Sequence, residues 1–179
     1  MTRTSTISLV SIAIGTALIA ALSQLSLSIG PVPFTLQTLA IGLVASLYKP
    51  KDAIASVALY LILGGIGLPV FAGFSGSLAT LTGPTSGFLW GFLLYAALTS
   101  KTTQAGSRPI RVFLACLLGS TACSLLGFFT FTVITGASVG AAFGWTVLPF
   151  ILPDLAKIAL VTLCHHLLQP ITKKEAYFQ

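Results

Sequence analysis

Apolar residues run through the chain in three long stretches, 4–48, 53–100 and 112–153, none of which contains Asp, Glu, Lys or Arg. A helix needs about 20 apolar residues to cross a bilayer core. The polar and glycine-rich punctuation divides the chain into segments suited to that, at roughly 6–29, 34–48, 53–67, 85–99, 112–135 and 145–169. The first is long for the apolar region of a signal peptide and is expected to be retained as a helix. Gly30-Pro31-Val32-Pro33-Phe34 stops it, because proline fixes φ and lacks an amide donor. The second segment opens with Thr35, Gln37 and Thr38, polar groups expected to face the interior or a wet cavity. Lys49-Pro50-Lys51-Asp52 reads as a tight charged turn. Seven glycines fall between Gly64 and Gly87, a region too broken for a helix and too apolar for an ordinary surface loop. Irregular backbone at membrane depth is tolerated where it lines a cavity, so a lid or re-entrant loop is expected there. Residues 136–144 read as a second glycine-rich link.

Composition agrees with lipid as the solvent. Of 179 residues, 55% are hydrophobic and 7% charged, with mean hydropathy +1.00, against about a quarter charged in soluble domains. The expected fold is an all-α membrane protein of six transmembrane helices in one domain, residues 1–179. The net charge of +6 does not point to nucleic acid, because the basic residues sit in short clusters between apolar segments. Arg3, Lys49, Lys51, Lys101, Arg108, Arg111, Lys173 and Lys174 all fall on one side of a six-helix topology. Basic residues favour the cytoplasmic side, which puts both termini in the cytoplasm and the Pro-Val-Pro turn, the lid and the start of the last helix outside. Cys116, Cys123 and Cys164 lie in apolar runs without metal-ligand spacing and read as small buried side chains.

The remaining basic residue, Lys157, stands inside the last apolar segment, three positions after Asp154 and on nearly the same helical face. Charges at membrane depth are costly, so they pair and mark a site or a pathway. Pro153 beside them removes a donor and can free the carbonyl of Pro149, and broken helices are where membrane proteins hold polar substrates. The expected site is an outward-facing pocket. Asp154 and Lys157 supply an acceptor and a donor, Gln37, Ser75 and the lid backbone add hydrogen bonds, and Phe34, Phe71, Phe74, Phe88 and Trp90 form an apolar wall. His165 and His166 are adjacent, hence about 100° apart on a helix, and read as interfacial residues rather than a metal pair. No nucleotide-binding loop, nucleophile elbow or paired catalytic carboxylates occur, so active transport would draw its energy from another chain. Ala13, Ala17 and Ala21 form a small-residue stripe on which another helix can pack, within the bundle or on a partner.

Gly30-Pro31-Val32-Pro33-Phe34-Thr35-Leu36-Gln37-Thr38, Gly67-Leu68-Pro69-Val70-Phe71-Ala72-Gly73, Gly83-Pro84-Thr85-Ser86-Gly87-Phe88 and Pro153-Asp154-Leu155-Ala156-Lys157, in that order, resemble the BioY family. Its members are the biotin-capturing S components of energy-coupling-factor (ECF) transporters in prokaryotic cell membranes. The resemblance implies a six-helix fold and a high-affinity biotin pocket open to the outside, under a lid between helices three and four. It also implies that Asp154 and Lys157 hold the ureido ring, that no cofactor is used, and that the chain is not an enzyme. The alanine stripe would dock on a transmembrane coupling subunit that connects to two ATPases. The family often has Asn where this chain has Ser75, and Tyr where it has Phe88, which reduces the polar contacts the lid can offer. Competing readings are a capture component for another vitamin, and a membrane-embedded enzyme using Asp154 or the histidines.

Overall fold

The computed structural model describes residues 3–27 and 30–172. Lys173 and Lys174, and the predicted end of the first segment at Ile29, lie outside the described residues. Each predicted segment contains one long helix: α1 (Arg3–Ser23), α2 (Gln37–Leu47), α3 (Pro50–Gly65), α5 (Ser86–Thr102), α6 (Pro109–Thr135) and α8 (Ile151–Thr172). Two short helices, α4 (Leu78–Thr82) and α7 (Val139–Thr146), lie between them. A two-stranded antiparallel ribbon of β1 (Ser26–Leu27) and β2 (Phe34–Thr35) closes the α1–α2 connection. By length and composition alone, Thr6–Ser23, Pro109–Thr135 and the α7–α8 run Val139–Thr172 are sufficient to cross a membrane.

Three expectations are corrected. Residues 136–144 are not an irregular link: Ser138 caps α7 by accepting the Ala141 amide at 3.4 Å, and Ala142 is fully buried beside Val32 and Phe131. The 64–87 region is likewise not free of helix. It holds a 3-10 turn at Ala72–Phe74 and the short α4, capped by Ser77 on the Thr80 amide at 3.2 Å. The last long helix starts at Ile151 rather than near 145, after a 3-10 turn at Leu148–Phe150. The break therefore lies upstream of Pro153, which occupies the first turn of α8, where its missing amide costs no helical bond.

The core is built by α2, α3, α5, α6 and α8 around buried Ile41, Val44, Val57, Tyr60, Tyr95, Val112 and Val161. The seam between α5 and α6 is the most extensive contact and depends on small residues. A Cβ on Gly91 would stand 2.9 Å from the Cα of Cys123. The outward face of α6 is the reverse: Leu114, Leu118, Leu125, Phe129 and Val133 are each more than half exposed. A continuous apolar strip of this kind is avoided against water and suits lipid.

Side-chain bonds define two ends of the bundle. At one, Ser8 donates to Asp52, Thr103 to the Ala45 carbonyl at 3.5 Å and Gln169 to the Ser107 carbonyl at 2.7 Å. These bonds gather the start of α1, the α2–α3 turn, the α5–α6 link and the end of α8. At the other end are the α1–α2 ribbon, the 66–85 segment between α3 and α5, and the α6–α7 corner.

Candidate ligand-binding site

A cavity of about 170 Å3 opens toward the second end, beneath the 66–85 segment. Its floor is polar because of how two helices begin. The first turn of α2 brings Gln37 and Thr38, and the first turn of α8 brings Asp154 and, one turn on, Lys157. A carboxylate in the first turn of a helix is favoured by the exposed amides there. Lys157 Nζ lies 3.0 Å from Asp154 Oδ1 and 3.1 Å from Thr38 Oγ1, and 4.2 Å over the ring of Phe34. The lysine side chain is 8% exposed and the aspartate 17%. Burial at that level is tolerable only because the ammonium has charged, polar and aromatic neighbours. Among the described residues only one oxygen of Asp154 is engaged, and an ammonium has a third hydrogen to give. The pair therefore retains both acceptor and donor capacity toward the cavity.

Gln37 is buried and partly committed. Its Oε1 accepts from Thr35 at 3.0 Å and its Nε2 donates to the Tyr60 hydroxyl. The lid contributes Phe71, Ala72, Ser75 and Thr80 to the roof. Ser75 Oγ donates to the Ala72 carbonyl at 2.9 Å, so its hydroxyl faces the cavity as an acceptor. Apolar walls come from Phe88, Leu89 and Phe92 of α5 and from Phe150 just before α8. Phe150 stacks on Phe34 with ring centres 6.4 Å apart.

Of the residues anticipated from sequence, Asp154, Lys157, Ser75, Gln37, Phe71 and Phe88 line this cavity. Phe34 stands behind Lys157 as a cation–π and stacking partner. Phe74 and Trp90 are corrections to the expected aromatic wall. Phe74 is 71% exposed at the tip of the lid. Trp90 lies on the outer face of α5 and donates its indole N–H to the Leu81 carbonyl at 3.1 Å, bracing α4 from outside. His165 is also corrected: it is fully buried, with neither ring nitrogen hydrogen-bonded among the described residues, while His166 is exposed. Ala13, Ala17 and Ala21 are all exposed on α1, whereas Ser11, Gly15 and Ile19 face inward.

Sequence reasoning missed Phe92, Ser120, Cys123, Ser124 and Phe150 in the lining. Ser120, Cys123 and Ser124 share one face of α6 by helical spacing, a signal that a polar-face search of that segment would have found. The phenylalanines carried no such mark.

A model of the BioY family matches residues 1–174. The chain is 39% identical over 164 residues to Biotin transporter BioY2 of Lactococcus lactis subsp. cremoris, covering 91% of this chain and 90% of that protein. It is 36% identical over 158 residues to Probable biotin transporter BioY of Pyrococcus horikoshii, covering 88% and 93%. Among solved structures it is similar to the S-component for biotin from an ECF-type ABC transporter, with a TM-score of 0.88 and 26% identity over the whole of both chains.

Proposed function

The chain belongs to the BioY family and serves biotin uptake as a multi-pass protein of the cell membrane, and from that premise we propose that the cavity on Asp154 and Lys157 is its biotin site. The observation that carries this assignment is the ion pair itself, nearly buried in an apolar bundle yet left, among the described residues, with one carboxylate oxygen and one N–H unengaged. Biotin presents a neutral ureido ring with two N–H donors and one carbonyl acceptor. Asp154 accepts from the ring N–H groups and Lys157 donates to the carbonyl, both as charge-assisted bonds, which are stronger than neutral ones. Phe88, Phe92, Phe71 and Phe150 suit the thiophane ring, and Ser75 offers an acceptor from the lid.

In this reading the chain is one domain that crosses the membrane six times, through α1, α2, α3, α5, α6 and α8. An 11-residue α2 spans only about 16 Å at 1.5 Å per residue, so the irregular 30–36 segment, which contains β2, completes that crossing while lining the cavity. The basic end is cytoplasmic and the lid end faces outward. The bundle captures biotin, and a transmembrane coupling subunit with two ATPases supplies the energy for its release inside. The chain carries out no chemistry on the vitamin and uses no cofactor.

Equilibrium binding of radiolabelled biotin to purified protein tests the assignment. Saturable binding with the ligand recovered unchanged is expected. Wild-type affinity in Asp154→Asn, with the fold intact, sinks the site, and a chemically altered ligand favours an enzyme.

A further inference from the structure

Two polar residues that the biotin site does not use, Ser23 at the end of α1 and Gln24 just beyond it, both reach across to the lid. Ser23 is fully buried, and its Oγ donates to the Val70 carbonyl at 2.6 Å. Gln24 grips the same segment from both ends of its amide. Its Nε2 lies 3.2 Å from the Phe71 carbonyl, 3.4 Å from that of Pro69 and 2.8 Å from Ser23 Oγ. Its Oε1 accepts the Phe74 amide at 2.9 Å, which fixes which end of the side chain is which.

The segment gripped is the one that roofs the cavity. Phe71 is 1% exposed, pairs with Ser75 through an isolated bridge and packs edge-on against Tyr60 at 5.4 Å. Phe71 also presses its ring onto Gly64, where no side chain would fit. Between Phe71 and Ser75 the chain makes a tight turn, in which Phe74 adopts φ 54° although it is not glycine. A non-glycine residue persists in that region only where its surroundings hold it, and the bond from its amide to Gln24 is such a hold.

We infer that Gln24 is a latch: a positioning residue that holds the 69–75 lid closed over the cavity and thereby sets how fast bound ligand escapes. This rests on the reading of the cavity as the biotin site, but the latch touches no biotin. It acts on dissociation because opening the lid must break the Gln24 contacts, whereas the Asp154–Lys157 pair acts on the bound state.

The test uses the full chain in lipid nanodiscs, with labelled biotin chased by unlabelled biotin, and amide hydrogen exchange on the ligand-free protein. Gln24→Met keeps the length of the side chain without its hydrogen bonds. Gln24→Glu keeps its size and the acceptor for Phe74 but turns an oxygen toward the Pro69 and Phe71 carbonyls, so a packing role alone leaves it at the wild-type rate. Both variants are expected to raise the dissociation rate about tenfold, the scale of one or two lost hydrogen bonds. Exchange is expected to quicken within 69–75 while α5 and α6 keep their protection. Unchanged exchange at 69–75 in both variants, or an unchanged dissociation rate, overturns the latch. Failure of the wild-type chain to bind biotin instead defeats the site assignment, and the exchange arm still decides whether Gln24 holds the lid.

Discussion

Lys157 draws its acceptors from two helices, Asp154 on α8 and Thr38 on α2, so the ammonium ties the polar starts of both to one point. Replacing the carboxylate by an amide takes away the charged acceptor for the ligand's N–H groups, a loss of roughly 3 kcal/mol at the upper end for hydrogen bonds to charged groups. Asp154→Asn is therefore expected to weaken biotin binding by about 100-fold in an equilibrium assay. Thr38→Val removes only the neutral acceptor and is expected to cost about tenfold in the same assay. Equal losses in both variants would mean that the carboxylate contributes no more than a hydroxyl does. The charged pair was legible in the sequence because charges set between the uncharged runs 112–153 and 158–172 need a partner and a purpose. The walls were not. Phe150 and Phe92 look the same in sequence as Phe74 and Trp90, and only the rotation of each helix decides which ring meets the cavity. His165 shows the same limit: adjacency to His166 told that the two diverge, but not that one is fully buried.

Helices α5 and α6 meet along a seam where Gly91 rests on the backbone of Cys123, and both helices also line the cavity. A leucine there has no room except by separating the pair. Overpacking of this kind costs roughly 1–3 kcal/mol. Gly91→Leu is expected to lower the thermal unfolding midpoint by several degrees in a detergent-based melt, whereas Gly140→Leu, with open space around it, leaves it unchanged. Equal midpoints for the two would remove the argument that close approach sets this seam. The long helices were readable as uncharged apolar runs bounded by prolines, glycines and basic turns, to within a few residues at most of their ends. The short ones were not readable that way. α4 and α7 exist because Ser77 and Ser138 cap them and because Ala142 and Leu81 find burial, which are tertiary facts. Glycine content alone argued against both.

Across the whole molecule, the basic and glycine-rich links separate to opposite ends, and α1 presents Ala13, Ala17 and Ala21 outward beside larger exposed residues such as Leu9, Val10 and Ile14. The first arrangement predicts sidedness. In cells, a cysteine placed at Ser75 is expected to react with an impermeant maleimide, and one at Lys101 only after permeabilisation, in a background lacking the three native cysteines. Labelling of both in intact cells would refute the orientation. The second arrangement predicts where a partner sits. Ala13, Ala17 and Ala21 are exposed while Gly15 and Thr16 on the opposite face lock α1 to α3, through contact with Ser56 and a 3.0 Å bond to its carbonyl. The bundle thus holds α1 without using the stripe, so a large residue there leaves the Asp154–Lys157 cavity untouched but blocks close helix packing from outside. Ala17→Trp is expected to retain wild-type biotin binding when purified and to lose uptake in cells that express the energising partners. A tryptophan that left uptake intact would show that the coupling subunit approaches by another face, since no helix can seat on alanines it can no longer reach.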